Sequence, residues 1–316
     1  MSTSPSTAAL PRFLGLMLIV IAVLASGCVR DKSVRELKAK WAPPPSTFIQ
    51  VDGMDVHMRD EGPRDDPSPI VLLHGTSASL HTWQGWVDQL KGQRRVISLD
   101  LPGFGLTGPF PNDHYDMDHY VGFLNDFLTR LHVQHYVLVG NSFGGNLAWH
   151  MALAHPTQVD RLILVDAGGY DYQPKSMPIG FRIAQIPLLN KVMEYTLSHR
   201  MVASSVRNVY ADDSKVTPEL VDRYYDLTLR AGNRHALVQR FKQAVGVDAY
   251  RIHLVTAPTL ILWGADDQLI PLEYGQKFNQ DIKGSTLVVL DHLGHVPHEE
   301  DPVKSLQPVK AFLDLK

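Results

Sequence analysis

Three features of the sequence predict a layered α/β fold built on a mostly parallel sheet. Runs of four or five residues rich in Val, Ile and Leu recur along the chain, the composition of strands buried on both faces. Helical patterns separate these runs, as a layered fold requires. From about residue 170 to 247 only helical patterns remain, and the strand pattern then resumes. The expectation is a sheet flanked by helices, with a helical cap inserted between two of its strands.

The first segment is read apart from the fold. No charge occurs between Arg12 and Arg30, and residues 13–25 form a compact apolar block behind a single positive charge. This is shorter than the ~20 residues a spanning helix needs and fits the apolar region of a secretory signal. Leu24-Ala-Ser-Gly-Cys28 places small residues before the only cysteine and resembles the lipobox of bacterial lipoproteins. That resemblance implies removal of residues 1–27 and lipidation of Cys28, with a lipid anchor facing the periplasm or exterior; Val29 after the cysteine points to the outer membrane. An uncleaved signal anchor puts the chain on the same side. A single cysteine excludes intrachain disulfides, cysteine zinc clusters and a CxxC redox pair.

Residues 28–46 are charged and then proline-rich (Trp41-Ala-Pro-Pro-Pro-Ser46), a composition expected of a semi-rigid tether. Residues 47–51 and 54–58 alternate apolar and polar around Asp52-Gly53, the mark of a two-residue hairpin. Buried-strand runs follow at 70–73, 96–99, 136–139, 162–165, 259–263 and 286–290. Between the second and third of them, Tyr120, Leu124, Phe127, Leu128 and Leu131 form one helical stripe, with Asp116 as N-cap. Within the cap, helices are expected at 188–199, 218–230 and 234–245, with a shorter one at 181–186 that stops before Pro187. The division is a core of 47–169 and 248–316, and a cap of 170–247.

With 316 residues, 44% hydrophobic and 20% charged, the chain can fill one large core plus an insertion. A net charge of -3 without long Lys or Arg runs gives no electrostatic reason to bind nucleic acid.

The chemistry concentrates in three places. Gly140-Asn-Ser142-Phe-Gly144 follows an apolar strand and precedes a helix, the context in which G-x-S-x-G presents a nucleophile on a sharp turn. A serine hydroxyl needs a base held by a third group. Asp267 stands after the run at 259–263 and His295 after the run at 286–290, on loops leaving strands. Asp266 is the alternative acid, and His292 and His298 the alternative bases.

His74-Gly75, Asp100-Leu-Pro-Gly-Phe-Gly105, Gly-Asn-Ser-Phe-Gly-Gly, Trp-Gly-Ala-Asp-Asp and Gly-His-Val-Pro-His-Glu-Glu-Asp-Pro together resemble the α/β-hydrolase superfamily, in its branch with a helical cap. The resemblance covers residues 47–316. It implies a serine hydrolase that needs neither cofactor nor metal, with backbone N–H groups of Thr76 and Phe143 as oxyanion donors and His74 bracing its loop. A small, apolar ester is the expected substrate.

Asn141 and residues 214–223 also resemble the meta-cleavage-product hydrolases, which break carbon–carbon bonds, making Asn141 and Arg223 possible substrate contacts. Val296 after the histidine, Thr76-Ser-Ala-Ser79 in place of a Gly-rich loop, and the one-residue offset of Arg223 depart from that pattern. A binding protein that keeps the fold without catalysis is the third reading.

Overall fold

The computed structural model describes residues 29–244 and 248–315. The apolar block at 13–25 and Cys28 lie outside the described residues, and among those described no helix is long and apolar enough to cross a membrane.

Among the described residues eight strands form one sheet: β1 (Thr47–Val51), β2 (Met54–Glu61), β3 (Ile70–Leu73), β4 (Val96–Leu99), β5 (Tyr136–Asn141), β6 (Val159–Val165), β7 (Thr259–Gly264) and β8 (Thr286–Leu290). Their order is β1-β2-β4-β3-β5-β6-β7-β8, with β2 antiparallel to both neighbours and the rest parallel. The helices are α1 (Val34–Trp41), α2 (Gln84–Leu90), α3 (Met117–Arg130), α4 (Phe143–Ala154), the cap helices α5 (Ile179–Gln185), α6 (Leu189–Met193), α7 (His199–Arg207), α8 (Pro218–Thr228) and α9 (Asn233–Gln243), then α10 (Leu272–Asp281), α11 (Pro297–Glu300) and α12 (Pro302–Phe312).

Alternate strand residues serve opposite faces, as a two-residue period dictates. Val71, Leu73, Leu138, Leu162 and Ile261 join the larger core cluster, while Ile70, Leu72, Val137, Ile163 and Leu260 join the cluster on the other face. Both faces are therefore covered, which is why these strands read as continuous apolar runs. The hairpin falls at Asp52-Gly53, where both residues have positive φ (49° and 77°), as its two-residue turn demands. Asp116 caps α3 by accepting the His119 N–H at 2.9 Å.

Two expectations need correction. The stretch read as a tether is folded from Val29 onward: α1 begins with a reciprocal cap between Ser33 and Glu36 and buries Leu37 and Trp41. The Trp41 indole donates to Asp226 on α8 at 3.0 Å, and the Lys32 ammonium reaches the same carboxylate at 2.5 Å. Backbone bonds join Lys32 to Leu229 and Ala231, so this segment is docked on the cap. In the cap, the helix expected at 188–199 is broken. It stops at Met193, and α7 restarts at His199 because Ser198 caps it by accepting the Met201 N–H.

Burial holds several histidines neutral. His74, His150 and His298 are all lowered from the ordinary 6.5, with desolvation as the largest cause, and His81 is lowered to about 3 for the same reason. Each folded pKa lies below its unfolded value, so the unfolded chain takes up more protons once pH falls below 6.5, and stability is lost from there downward. His235 carries the opposite sign: burial lowers it, but its bonds to Asp113 and Glu194 raise it overall. The buried Asp166 carboxyl, also raised, works in the same direction as His235; the four lowered histidines outweigh these two, and the thermal midpoint is expected to fall between pH 7.5 and pH 5. A midpoint that holds or rises over that interval would contradict this reading.

Candidate active site

The loops leaving the C-terminal ends of the parallel strands converge, where ligand sites of such sheets form. Ser142 is the single residue between β5 and α4, with φ 54° and ψ -116°. A non-glycine backbone so placed stores strain of about 1–3 kcal/mol and persists only where its surroundings fix it. Here the Ser142 N–H donates to Val165 at 3.1 Å, and its carbonyl accepts from Asn146 and Gly168 at 3.0 and 2.9 Å. The motif glycines answer close approaches: a Cβ on Gly140 would stand 2.1 Å from the Gly144 carbonyl, and one on Gly144 2.3 Å from that of Leu73.

Asp267 follows β7 and is almost fully buried. Its Oδ1 accepts the N–H groups of Leu269 and Ile270 at 2.8 and 3.0 Å, and its Oδ2 lies 2.7 Å from His295 Nδ1. Holding the proton on Nδ1 leaves Nε2 as a proton acceptor. That Nε2 is buried and makes no hydrogen bond, while His295 and Ser142 line the same cleft. The structure thus joins Asp267 to His295 and places Ser142 in the cleft that His295 lines, without a Ser142–His295 bond.

The alternatives lie elsewhere. Asp266 and His292 face one another at 3.9 Å with exposed side chains, and buried His298 stacks on Trp83 with ring centroids 3.9 Å apart.

Sequence reasoning missed two supports. Asp166 leaves the end of β6 with no exposed surface, and its carboxyl lies within 4.8 Å of the facing atoms of Asp267 and His295. Burial, then the adjacent Asp267 charge, push its carboxyl well above the usual range beside the carboxylate bonded to His295. These three side chains bring possible ligand atoms within 4.8 Å of one another, and the His295–Asp267 bond already uses Nδ1 and Oδ2. Glu300 is the second support. Its Oε2 accepts the Gly294 N–H at 2.8 Å, and its Oε1 accepts those of Ala211 and Asp212, tying the histidine loop to the cap.

Thr76 and Phe143 both line a cavity with Ser142, and among the described residues no protein acceptor takes up either backbone N–H. His74 is buried; its Nδ1 lies 2.7 Å from the Gly75 carbonyl and its Nε2 accepts the Leu101 N–H at 2.9 Å, bracing the loop after β3. Asn141 lines the cleft, but its amide donates to the carbonyls of Val165 and His295 at 3.1 and 2.9 Å, which makes it a brace for the histidine loop. Arg223, expected as a substrate contact, lines neither cavity; it pairs with Glu299, which also accepts from the Tyr224 hydroxyl.

Two spaces meet at Ser142. A narrow cleft of about 90 Å³ is walled by Leu197, Val202, Val206, Leu237 and Val296. A wider cavity of about 790 Å³ runs past Tyr172, His150, Arg240 and Gln243. Thr76, Ser142, Phe181 and Leu269 border both.

The family profile described as alpha/beta hydrolase fold matches residues 68–302. The chain belongs to the α/β-hydrolase family. A curated relative, the 2-hydroxy-6-oxo-2,4-heptadienoate hydrolase of Pseudomonas putida, is 32% identical over 279 residues, covering 84% of this chain and 95% of its own. Among solved structures, a membrane phospholipase A described as a bacterial virulence factor superposes with a TM-score of 0.72 at 25% identity, covering 96% of this chain and 98% of that one. The meta-cleavage product hydrolase of Pseudomonas fluorescens superposes at 0.71 with 26% identity, over 85% and 97%. An α/β-hydrolase fold and a hydrolytic activity follow from this membership.

Proposed function

We propose that this α/β-hydrolase cleaves a carboxylic ester through an acyl intermediate on Ser142. The observation that carries the reading is His295: its Nδ1 is bonded to Asp267, and its Nε2 is buried and unbonded in the cleft that Ser142 lines. Ser142 Oγ attacks the carbonyl as His295 Nε2 takes its proton, and the N–H groups of Thr76 and Phe143 stabilise the oxyanion. The imidazolium then protonates the departing alcohol. Water, deprotonated by the same nitrogen, releases the acid and frees the serine.

The cleft and cavity on either side of Ser142 suit an ester with one small apolar side and one larger side. The commitment of Arg223 to Glu299 favours the ester reading over carbon–carbon cleavage. Carbon–carbon hydrolysis is the second reading, favoured by the 32% identity with the heptadienoate hydrolase. The proposal also takes residues 13–25 and Cys28 as a lipoprotein signal that holds the enzyme at a bacterial envelope membrane; the match to a membrane phospholipase A over 96% of the chain supports a membrane setting.

The test is turnover of p-nitrophenyl esters of graded acyl length beside a 2-hydroxy-6-oxo-dienoate. Activity that is highest for short acyl chains and near zero on the dienoate is expected; a flat ester panel with rapid dienoate cleavage would reverse the order of the two readings.

A further inference from the structure

Arg240 sits on α9, 8% exposed, at the wall of the wide cavity that also contains Ser142. One of its terminal nitrogens donates to the Thr76 hydroxyl at 2.9 Å, and its Nε is buried without a hydrogen-bond partner. Among the described residues no carboxylate lies within salt-bridge distance. The other fully buried arginines differ: Arg234 pairs with Asp31, and Arg59 has Glu61, Asp100 and Asp88 near enough to favour its charge; of the half-buried ones, Arg223 pairs with Glu299, and Arg230, away from Ser142, donates to the carbonyls of Thr107 and Ala231.

Buried charges are ordinarily paired, because removing an ion from water is costly. The rings of Phe143 and Phe241, at 4.5 and 4.7 Å from the guanidinium carbon, offset only a fraction of that cost. The acids of the same cavity are not substitutes. Asp116 and Asp118 are exposed at its rim, and Asp248 is engaged by His150 and Arg251. A buried cation beside the reacting serine, with no counter-charge from its own fold, is suited to a negative charge that arrives with the ligand.

We propose that Arg240 binds an anionic group of the substrate, a carboxylate or a phosphate ester, in the wide cavity beside Ser142. The inference rests on the hydrolytic reading only for the location of the substrate. Carboxylate and phosphate both match the guanidinium fork. The anion belongs to the side of the substrate that occupies the wide cavity, leaving the narrow cleft to the apolar side.

The test needs no turnover, so its failure is distinguishable from a failure of the ester reading. Calorimetry on the Ser142→Ala protein compares pentanoate, pentanamide and butyl phosphate. At least one anion is expected to bind about 30-fold more tightly than the amide, the scale of a buried charge-assisted contact, and the tighter of the two identifies the source. Adding Arg240→Gln should remove that preference, and Arg240→Lys should restore part of it. Equal binding of amide and both anions overturns the proposal, and that comparison stands even if the Arg240 variants do not fold. A uniform weakening of all three ligands in Arg240→Gln, the result of merely displacing Thr76, overturns it as well.

Discussion

Ser142→Ala is expected to lower ester turnover by about a millionfold, the scale seen when a triad nucleophile is removed. Alanine keeps the Cβ and the strained backbone, and the bonds that fix the turn come from main-chain atoms of Ser142, Val165, Asn146 and Gly168. The variant should therefore fold with an unchanged thermal midpoint, so the loss can be assigned to chemistry. Residual activity would come from binding and from the N–H groups of Thr76 and Phe143. Turnover within tenfold of the parent would contradict the assignment of the nucleophile.

Asp267→Asn is the second large effect, about 10⁴-fold in kcat/KM on a neutral ester. Two N–H groups, those of Leu269 and Ile270, converge on the Oδ1 position, so the amide oxygen of asparagine is drawn there. Its NH₂ is then left facing His295 Nδ1 at the 2.7 Å position. Two donors cannot meet, and the imidazole must move its proton to Nε2, where it can no longer accept from Ser142. The fold should tolerate the isosteric change, and kinetics on protein of unaltered midpoint is the measurement. A loss below tenfold would imply that another acid, with Asp166 the nearest, can serve His295.

The sheet was legible because each buried run carries its own signal: strands bounded by residues 70–73, 96–99 and 286–290 form with the expected limits. The residues proposed as nucleophile, acid and base could also be placed from the sequence, since each stands on a loop directly after such a run. What escaped depends on neighbours distant in sequence. Asp166 is an ordinary post-strand acid until folding sets it beside Asp267. Arg240 is one of several cap arginines, and its meaning comes from Thr76, 164 positions away.

Other misses were local. The capping box of Ser33 and Glu36 and the spacing of Leu37 and Trp41 were present in the sequence, but the proline run at 43–45 dominated the reading of that stretch. Ser198 likewise offered an N-cap signal inside what looked like one continuous cap helix. Arg223 matched a family position by pattern alone, and the nearby carboxylate of Glu299 decided where its side chain went.

The most direct measurement of the central claim, that Ser142 is activated by the His295–Asp267 pair to carry an acyl group, is covalent trapping. The protein is reacted with a fluorophosphonate, digested, and the modified peptide identified by mass spectrometry, in parallel with a His295→Ala variant. A single adduct on Ser142 in the parent, forming orders of magnitude more slowly in the variant, is the predicted result. An adduct on a different serine, or equal labelling rates in the two proteins, would contradict it.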